Sequence, residues 1–386
     1  MKIKGYRRSD GRVGIRNHVL ILPTCVCSSE TCRVVASQVQ GTVTFTNQNG
    51  CGQVQGDLKI TQQILAGLSA NPNVYGTVLI GLGCENNIPD HMIELIKSKT
   101  NKPLRRVVIQ EEGGTISAVK KSVQYARELL AEASRACREE CDLTELIVGT
   151  ECGGSDPTSG IGSNPVVGYL SDQLIALGAS SILSETTEFI GAEHILAARG
   201  ATLEVSQAIL HIVKRYEDHL KNVGESLRGG NPSPGNKVGG ITTLEEKSLG
   251  CIHKGGSTPV VEVVNYAETP TKKGLVIMDT PGHDVASITG MVAGGCQLVV
   301  FTTGRGTPTG NPIAPVIKIT ANKFTYETMK DNIDFDASPT VDGTQSIEEM
   351  GEKLLAEVIS IAEGKITKAE VFGFNEIAIN RLCNYV

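Results

Sequence analysis

Tryptophan is absent from this 386-residue sequence, and aromatic residues make up only 4% of it. A chain so poor in flat rings lacks the stacking platforms on which single-stranded nucleic acids are held. Charge gives nucleic acid no foothold either: 36 basic and 42 acidic residues leave a net charge of −6, spread without long runs of one sign. Anionic lipid surfaces are disfavoured by the same balance. No apolar stretch approaches the ~20 residues that cross a bilayer, and the opening MKIKGYRRSDGR lacks the apolar centre of a secretion signal. The expected setting is cytoplasmic, with neither membrane nor nucleic acid as partner. Internal repeats, heptads and low-complexity tails are also missing.

What is abundant is glycine, with 43 residues, and cysteine, with 11. An odd number of cysteines in a cytoplasmic chain argues against a disulfide framework and leaves buried thiols, metal ligands or reactive groups. A length of 386 residues implies two domains, or one large α/β domain with an appendage.

Short apolar, β-branched runs recur along the chain: residues 18–24, 77–83, 106–111, 145–150, 180–185, 274–280, 297–303 and 315–320. Runs apolar on both faces read as buried parallel strands. Between them, residues 114–138, 201–222 and 346–363 carry apolar side chains at three- and four-residue spacing, the mark of amphipathic helices. The alternation predicts an α/β fold, a parallel sheet flanked by helices. A division near residues 139–144 gives an N-terminal α/β lobe, 1–140, and a larger C-terminal lobe, 141–386. The Gly-, Pro- and Asn-rich stretch 224–258 offers a second break.

Ligands of open parallel sheets bind beyond the carboxyl ends of the strands. There stand CVCSSET (25–31), CENN (84–87) and ECGGSD (151–156), with NGCGQ (49–53) in another tight loop. Cys25, Cys27, Cys84 and Cys152 thus share one polarity, and Cys51 joins them in a loop. Thiolates at such positions suit iron or an iron–sulfur cluster. The plainer reading of each is a small hydrophobe at a strand end. Cys137 and Cys141, flanking a helix end, read as structural.

Glu185 and Glu188, in SETTEFIGAEH, are either oxygen ligands and an acid/base pair or an acidic helix start. NPSPGNKVGG (231–240) offers backbone N–H groups and Lys237 to an anion, or is a linker. In SLGCIHKGG, His253 and Lys254 read as solvated. DTPGHD (279–284) resembles a GTPase turn, but the chain has no phosphate-binding GxxxxGK[ST] motif; Asp284 either ligates a cation or caps the next helix, capping being the cheaper explanation. Arg305, among glycines and threonines in TTGRGTPTGNP, is suited to grip a carboxylate in two-pronged fashion. That favours an anionic substrate.

GYRRSDGRVGIRNHV, GLGCENN, GTECGGSD, the ETTE and GAEH strings, NPSPGNKVGG, SLGCIHKGG and FTTGRGTPTGNP occur in this order. Together they resemble the altronate and galactarate dehydratase family over nearly the whole chain. The resemblance implies an iron-dependent hydro-lyase (Fe2+ or an iron–sulfur cluster) that removes water from a sugar acid to leave a 2-keto-3-deoxy acid. It also implies a dimerising N-terminal lobe and a Rossmann-like catalytic lobe.

Single-chain members carry a small β-clip domain ahead of the GYRRSDGR-type motif, which here begins at residue 5. The chain is therefore similar to the large subunit of a split enzyme, with a separate β-clip subunit and a second copy of itself as expected partners. Sulfolactate sulfo-lyases, which eliminate sulfite, share the split form and supply the alternative reaction; a non-catalytic sugar-acid-binding protein is the remaining one. Carried onto matching positions, the motifs put Cys27, Cys51, Cys84 and Cys152 among the iron ligands. They put Glu185, Glu188, Asn236, Lys237 and Arg305 around the substrate; for catalysis we expect Lys237 or Glu188 as the base and Arg305, with iron, stabilising the developing charge. Ser155 and Asp156 are expected to meet its hydroxyl groups.

Overall fold

The computed structural model describes residues 1–383 and Tyr385. The chain begins with β1 (Lys2–Arg7) and β2 (Val13–Gly14), which pair antiparallel. It then builds a parallel sheet from β3 (His18–Pro23), β4 (Thr42–Val43), β5 (Val74–Gly81) and β6 (Leu104–Val108), in the order β4-β3-β5-β6. β7 (Glu139–Asp142) returns to pair with β1. A second, seven-stranded parallel sheet follows: β8 (Ile147–Cys152), β9 (Ser180–Leu183), β10 (Val260–Val264), β11 (Leu275–Met278), β12 (Leu298–Thr302), β13 (Val316–Thr320) and β14 (Phe335–Asp336). Its order is β10-β11-β9-β8-β12-β13-β14.

The eight apolar runs are all strands of these two sheets, and the three amphipathic patterns are the helices Thr115–Ala133, Leu203–Asn222 and Ile347–Ala362. β1, KIKGYR, escapes the apolar-run criterion because it alternates charged and buried residues at the molecule's edge. Residues 224–258 are not a break. They form the short helices Leu227–Gly230, Pro234–Gly239 and Leu244–Ile252, the last two started by the side chains of Ser233 and Thr243.

The sheets are not separate bodies. One buried cluster joins Leu20, Leu22 and Leu79 of the smaller sheet to Val276, Val299 and Phe301 of the larger. It does so through the helices Gln55–Ala70 and Asp284–Ala293. These helices approach closely because Gly67 has no side chain: a Cβ there would lie 2.3 Å from the Ala293 carbonyl oxygen.

The GYRRSDGRVGIRN segment ties this assembly together. Arg16, 7% exposed, pairs with Glu370 at 2.6 Å and donates to the Ile361 and Lys365 carbonyls. Arg8, also buried, donates to Pro72 O and to Asn17 Oδ1. These arginines are internal struts.

Candidate active site

In the larger sheet the chain order turns back at β8, whose neighbours are β9 and β12. A crevice outside the carboxyl ends of strands is expected where connections diverge in this way. Cys152 ends β8, and its backbone N–H donates to Glu185 Oε2 at 2.9 Å, bridging to the segment after β9. Gly153 follows because a Cβ would stand 2.0 Å from Asp284 Oδ2. Glu185 itself holds a left-handed backbone, φ 63°, unusual for a residue with a side chain and a mark of constraint.

Around these residues the protein buries a dense set of charges. Lys254 Nζ lies 2.5 Å from Glu185 Oε2 with both side chains fully enclosed, and 3.3 Å from Cys251 Sγ. Lys247 Nζ lies 2.7 Å from Glu188 Oε1 and 3.1 Å from Asn231 Oδ1. Glu151 Oε2 accepts from Ser184 and Ser287. Glu151 Oε1, Glu185 Oε1 and Glu188 Oε2 are buried without any hydrogen-bond partner. A lone-pair-bearing oxygen stranded in this way is costly unless a proton, substrate or cation meets it.

Burial and crowding move the titrations of these groups. Burial lifts Glu188 to about 7, with the Glu185 charge adding to it and Lys247 opposing. Burial also raises Glu185, against the pull of Lys254. Glu151 goes well above the carboxylate range through burial and the facing carboxyls Glu185 and Asp284. The Cys152 thiol is drawn down by its hydrogen bond with Cys251 and by Lys254, whereas Cys251 is pushed up. Burial works against the Lys254 charge, but the surrounding thiols and carboxyls outweigh it and hold the ammonium.

A cleft of about 460 Å³ opens onto this set, lined among others by Cys152, Gly154, Glu188, Asn236, Lys247 and Asp284. A neighbouring hollow of about 250 Å³ shares Cys152 and Lys247 and is bordered by Ser155, Asp156 and Asn164.

The residues singled out from sequence fall into three groups. Glu185, Glu188 and Cys152 come together, with ligand atoms within 4.8 Å of one another. Ser155 joins them through a 3.1 Å contact between its hydroxyl and Cys152 Sγ. Asp156 and Asn236 are close by but occupied. Asp156 Oδ1 accepts from Thr158 and Ser159, and Oδ2 from Asn322; Asn236 Oδ1 accepts from the N–H of Ser233, the cap of its helix, and Asn236 Nδ2 donates to Ser155 O.

Lys237 and Arg305 are exposed at the rim, where Arg305 Nη1 reaches the Gly235 carbonyl at 3.2 Å. Cys27, Cys51 and Cys84 lie elsewhere and are exposed, Cys27 in the first turn of the helix Val26–Gln38 and the other two on loops of the smaller sheet. Among the described residues, no group of three ligand atoms within 4.8 Å contains any of them, so the four cysteines are not gathered around one ion.

Two readings from sequence are corrected. Lys254 is not solvated but wholly buried against Glu185. Asp284 does not cap its helix, since the His283 side chain does; of its two readings the ligand one agrees with the geometry, because Asp284 faces Glu151 and Glu185 with ligand atoms within 4.8 Å. Lys247 was missed. A signal existed, because Lys247, Cys251 and Lys254 are four and three residues apart and share one helical face.

Comparison with known proteins agrees over nearly the whole chain. Residues 143–384 match the family model for the D-galactarate/altronate dehydratase C-terminal region, and residues 5–134 match the D-galactarate dehydratase/altronate hydrolase second domain. The altronate dehydratase of Bacillus subtilis is 36% identical over 386 residues, covering 97% of this chain and 77% of that protein. The (2R)-sulfolactate sulfo-lyase subunit beta of Chromohalobacter salexigens is 38% identical over 380 residues, 98% of this chain and 97% of that one. The galactarate dehydratase (L-threo-forming) of Escherichia coli is 40% identical over 304 residues, 77% of this chain and 58% of that enzyme.

Proposed function

Because this chain belongs to the D-galactarate/altronate dehydratase family and is an enzyme of the lyase class, we propose that it eliminates water from a polyhydroxy sugar acid. The product is a 2-keto-3-deoxy acid. One observation carries this reading: a buried carboxylate, Glu188, borders the cleft with a free Oε2 and a pKa raised to about 7. A group tuned this near neutrality is suited to take a proton and return it.

Glu188 Oε2 removes the proton from the carbon next to the substrate carboxylate, and the electron pair moves into an aci-carboxylate. The pair then returns to form the carbon–carbon double bond as hydroxide leaves the neighbouring carbon. Lys247, which lines the same cleft 2.7 Å from Glu188 Oε1, gives that hydroxide its proton and recovers one from Glu188. The enol released ketonises in solution. Arg305 and Lys237 at the rim hold the acid's carboxylate, where developing negative charge needs fixed cationic donors. Lys237 touches none of the buried carboxyls, so the base role goes to Glu188 alone. Ser155 offers its hydroxyl to the substrate, while Asp156 and Asn236 hold the loop that carries it.

The resemblance calls for iron, and the chain offers a set of donors that suits a divalent cation. Glu151, Glu185 and Asp284 present three carboxyls to one point, two with an oxygen lacking any partner, and Cys152 borders Glu185. Iron held there would supply a Lewis acid for a substrate oxygen.

We read the larger sheet as Rossmann-like: with the edge strand β10 set aside, its chain order is third, second, first, fourth, fifth, sixth. Eleven free cysteines suit a cytoplasmic setting; no helix of the described residues is long and apolar enough to cross a membrane.

A second reading, sulfite elimination from sulfolactate, is favoured by the near full-length match to a sulfo-lyase subunit. That relative's being a subunit also supports a separate small β-clip partner, and we extend the proposal to self-association of this chain. Light scattering of the chain alone and with the small subunit reads both.

The deciding assay incubates the anaerobic, iron-supplied chain and small subunit with aldonates, aldarates and sulfolactate. Release of 2-keto acid from an aldonate or aldarate is expected. Sulfite alone would replace water with sulfite as the leaving group, and no turnover of any acid would sink the enzymatic reading.

A further inference from the structure

A further pocket lies where the smaller sheet meets the larger, and it shares no lining residue with the elimination cleft. Its volume of about 380 Å³ falls in the range of small-molecule sites, roughly 300–1,000 Å³. The smaller sheet supplies His18, at the start of β3, and Val43 of β4, while the helix Val26–Gln38 supplies Arg33 and Ala36. Asn311 comes from the segment before β13, and Phe374 from beyond the helix Lys368–Phe372.

The wall around Phe374 is fastened on both sides, so the space exists before anything enters it. Asn375 Nδ2 donates to Thr44 O at 3.2 Å, and Gly310 N donates to Glu376 Oε2 at 3.0 Å. Gly310 allows the approach, since a Cβ there would lie 2.8 Å from Phe374 Cβ.

Asn311 carries unspent chemistry. Its Oδ1 accepts from Ile313 N and Ala314 N at 3.0 and 3.1 Å, which fixes the orientation of the amide and leaves Nδ2 as its other end. That Nδ2 belongs to a residue only 5% exposed and has no acceptor among the described residues. A stranded donor costs free energy that an incoming acceptor recovers.

Charge decides which acceptor suits the pocket. The Glu370 carboxylate at the wall is taken up by Arg16, at 2.6 and 2.9 Å, so its charge is balanced. Burial holds the His18 ring neutral, with its pKa lowered to about 4, so it brings an N–H and a lone pair but no charge. Arg33 is the lining cation. Its partner Glu30 stands on the open surface, and with side chains 64% and 72% exposed that pair is worth little. Ala36, Val43 and Phe374 make the remaining wall apolar.

We propose that this pocket binds a small monocarboxylic acid with a short apolar body, its carboxylate accepting from Asn311 Nδ2 in the positive field of Arg33. The site is independent of the proposed elimination. A ligand there touches both sheets, so it binds the joined form and raises the unfolding midpoint.

The test is calorimetric titration of the full chain with 4-methylpentanoate and, separately, with its uncharged amide, alongside thermal unfolding with each. Saturable binding of the acid and a raised midpoint are expected, with the amide binding about tenfold more weakly or worse. Asn311→Asp keeps the Oδ1 acceptor but replaces the donor, and should weaken the acid by about tenfold or more. Arg33→Met changes a solvated side chain that the fold does not need, and should weaken it severalfold. Arg305→Met, at the rim of the elimination cleft, should leave it unchanged. A wild-type chain that binds neither probe, an amide that binds as well as the acid, full affinity in Arg33→Met, or binding lost in Arg305→Met would each overturn the proposal. None of these readouts depends on turnover, so failure here is distinct from failure of the proposed elimination.

Discussion

At the scale of single residues, the site depends on charges that have no water to fall back on. Lys254 neutralises Glu185 in full burial, and removing one partner of such a pair strands the other. Lys254→Met is therefore expected to destabilise the protein by about 3–5 kcal/mol, read from urea unfolding midpoints. Glu188→Gln keeps the shape but deletes the proposed base; kcat should fall roughly 10²–10⁴-fold with KM changed far less.

His18, at the start of β3, gives a pH signature away from the site. Burial lowers its pKa to about 4, from the ordinary 6.5. The fold holds it neutral while the unfolded chain takes up a proton between those values. The stability it protects is complete above about pH 6.5 and is lost as pH falls toward 4. The slope amounts to roughly 2–3 kcal/mol. His18→Gln should flatten it, checked by comparing urea midpoints of both proteins at pH 7.5 and 4.5.

At the scale of elements, the helix Leu244–Ile252 matters most because it carries Lys247 and Cys251 to the site. Its first turn is capped by the Thr243 hydroxyl, which accepts from Glu246 N. Thr243→Ala should cost about 1 kcal/mol and lower activity by misplacing Lys247, measured as a fall in both thermal midpoint and kcat. The same element marks the limit of what the sequence disclosed. The strands of both sheets were legible because unbroken Val, Ile and Leu leave no solvated face. The loops after them were legible because chemistry collects at strand ends, which brought Glu185, Glu188 and Cys152 into view. Lys247 and Lys254 were hidden because a lysine is ordinarily solvated, and only the fold's placement of Glu188 and Glu185 opposite them makes burial tolerable. The separation of Cys152 from Cys27, Cys51 and Cys84 was equally hidden, because strand polarity does not say which sheet a strand joins.

At the scale of the whole molecule, the cluster running from Leu20 to Phe301 makes the two sheets interdependent. Neither can leave without exposing apolar surface of the other. Calorimetry should show one cooperative transition, and residues 143–386 expressed alone should aggregate or bind a hydrophobic dye. Two separated transitions would show that the shared core is too weak to couple the lobes.

The position of β8 between β9 and β12 also has a consequence in time. During synthesis, β9 is made soon after β8, but β12 begins 146 residues after Cys152. At about 5–20 residues per second, one edge of the central strand waits on the order of 7–30 s for its partner. Throughout that interval the thiol at its end has no finished cleft around it. A nascent chain of this protein is thus open to misplaced pairing and oxidation at a thiol that the finished molecule buries.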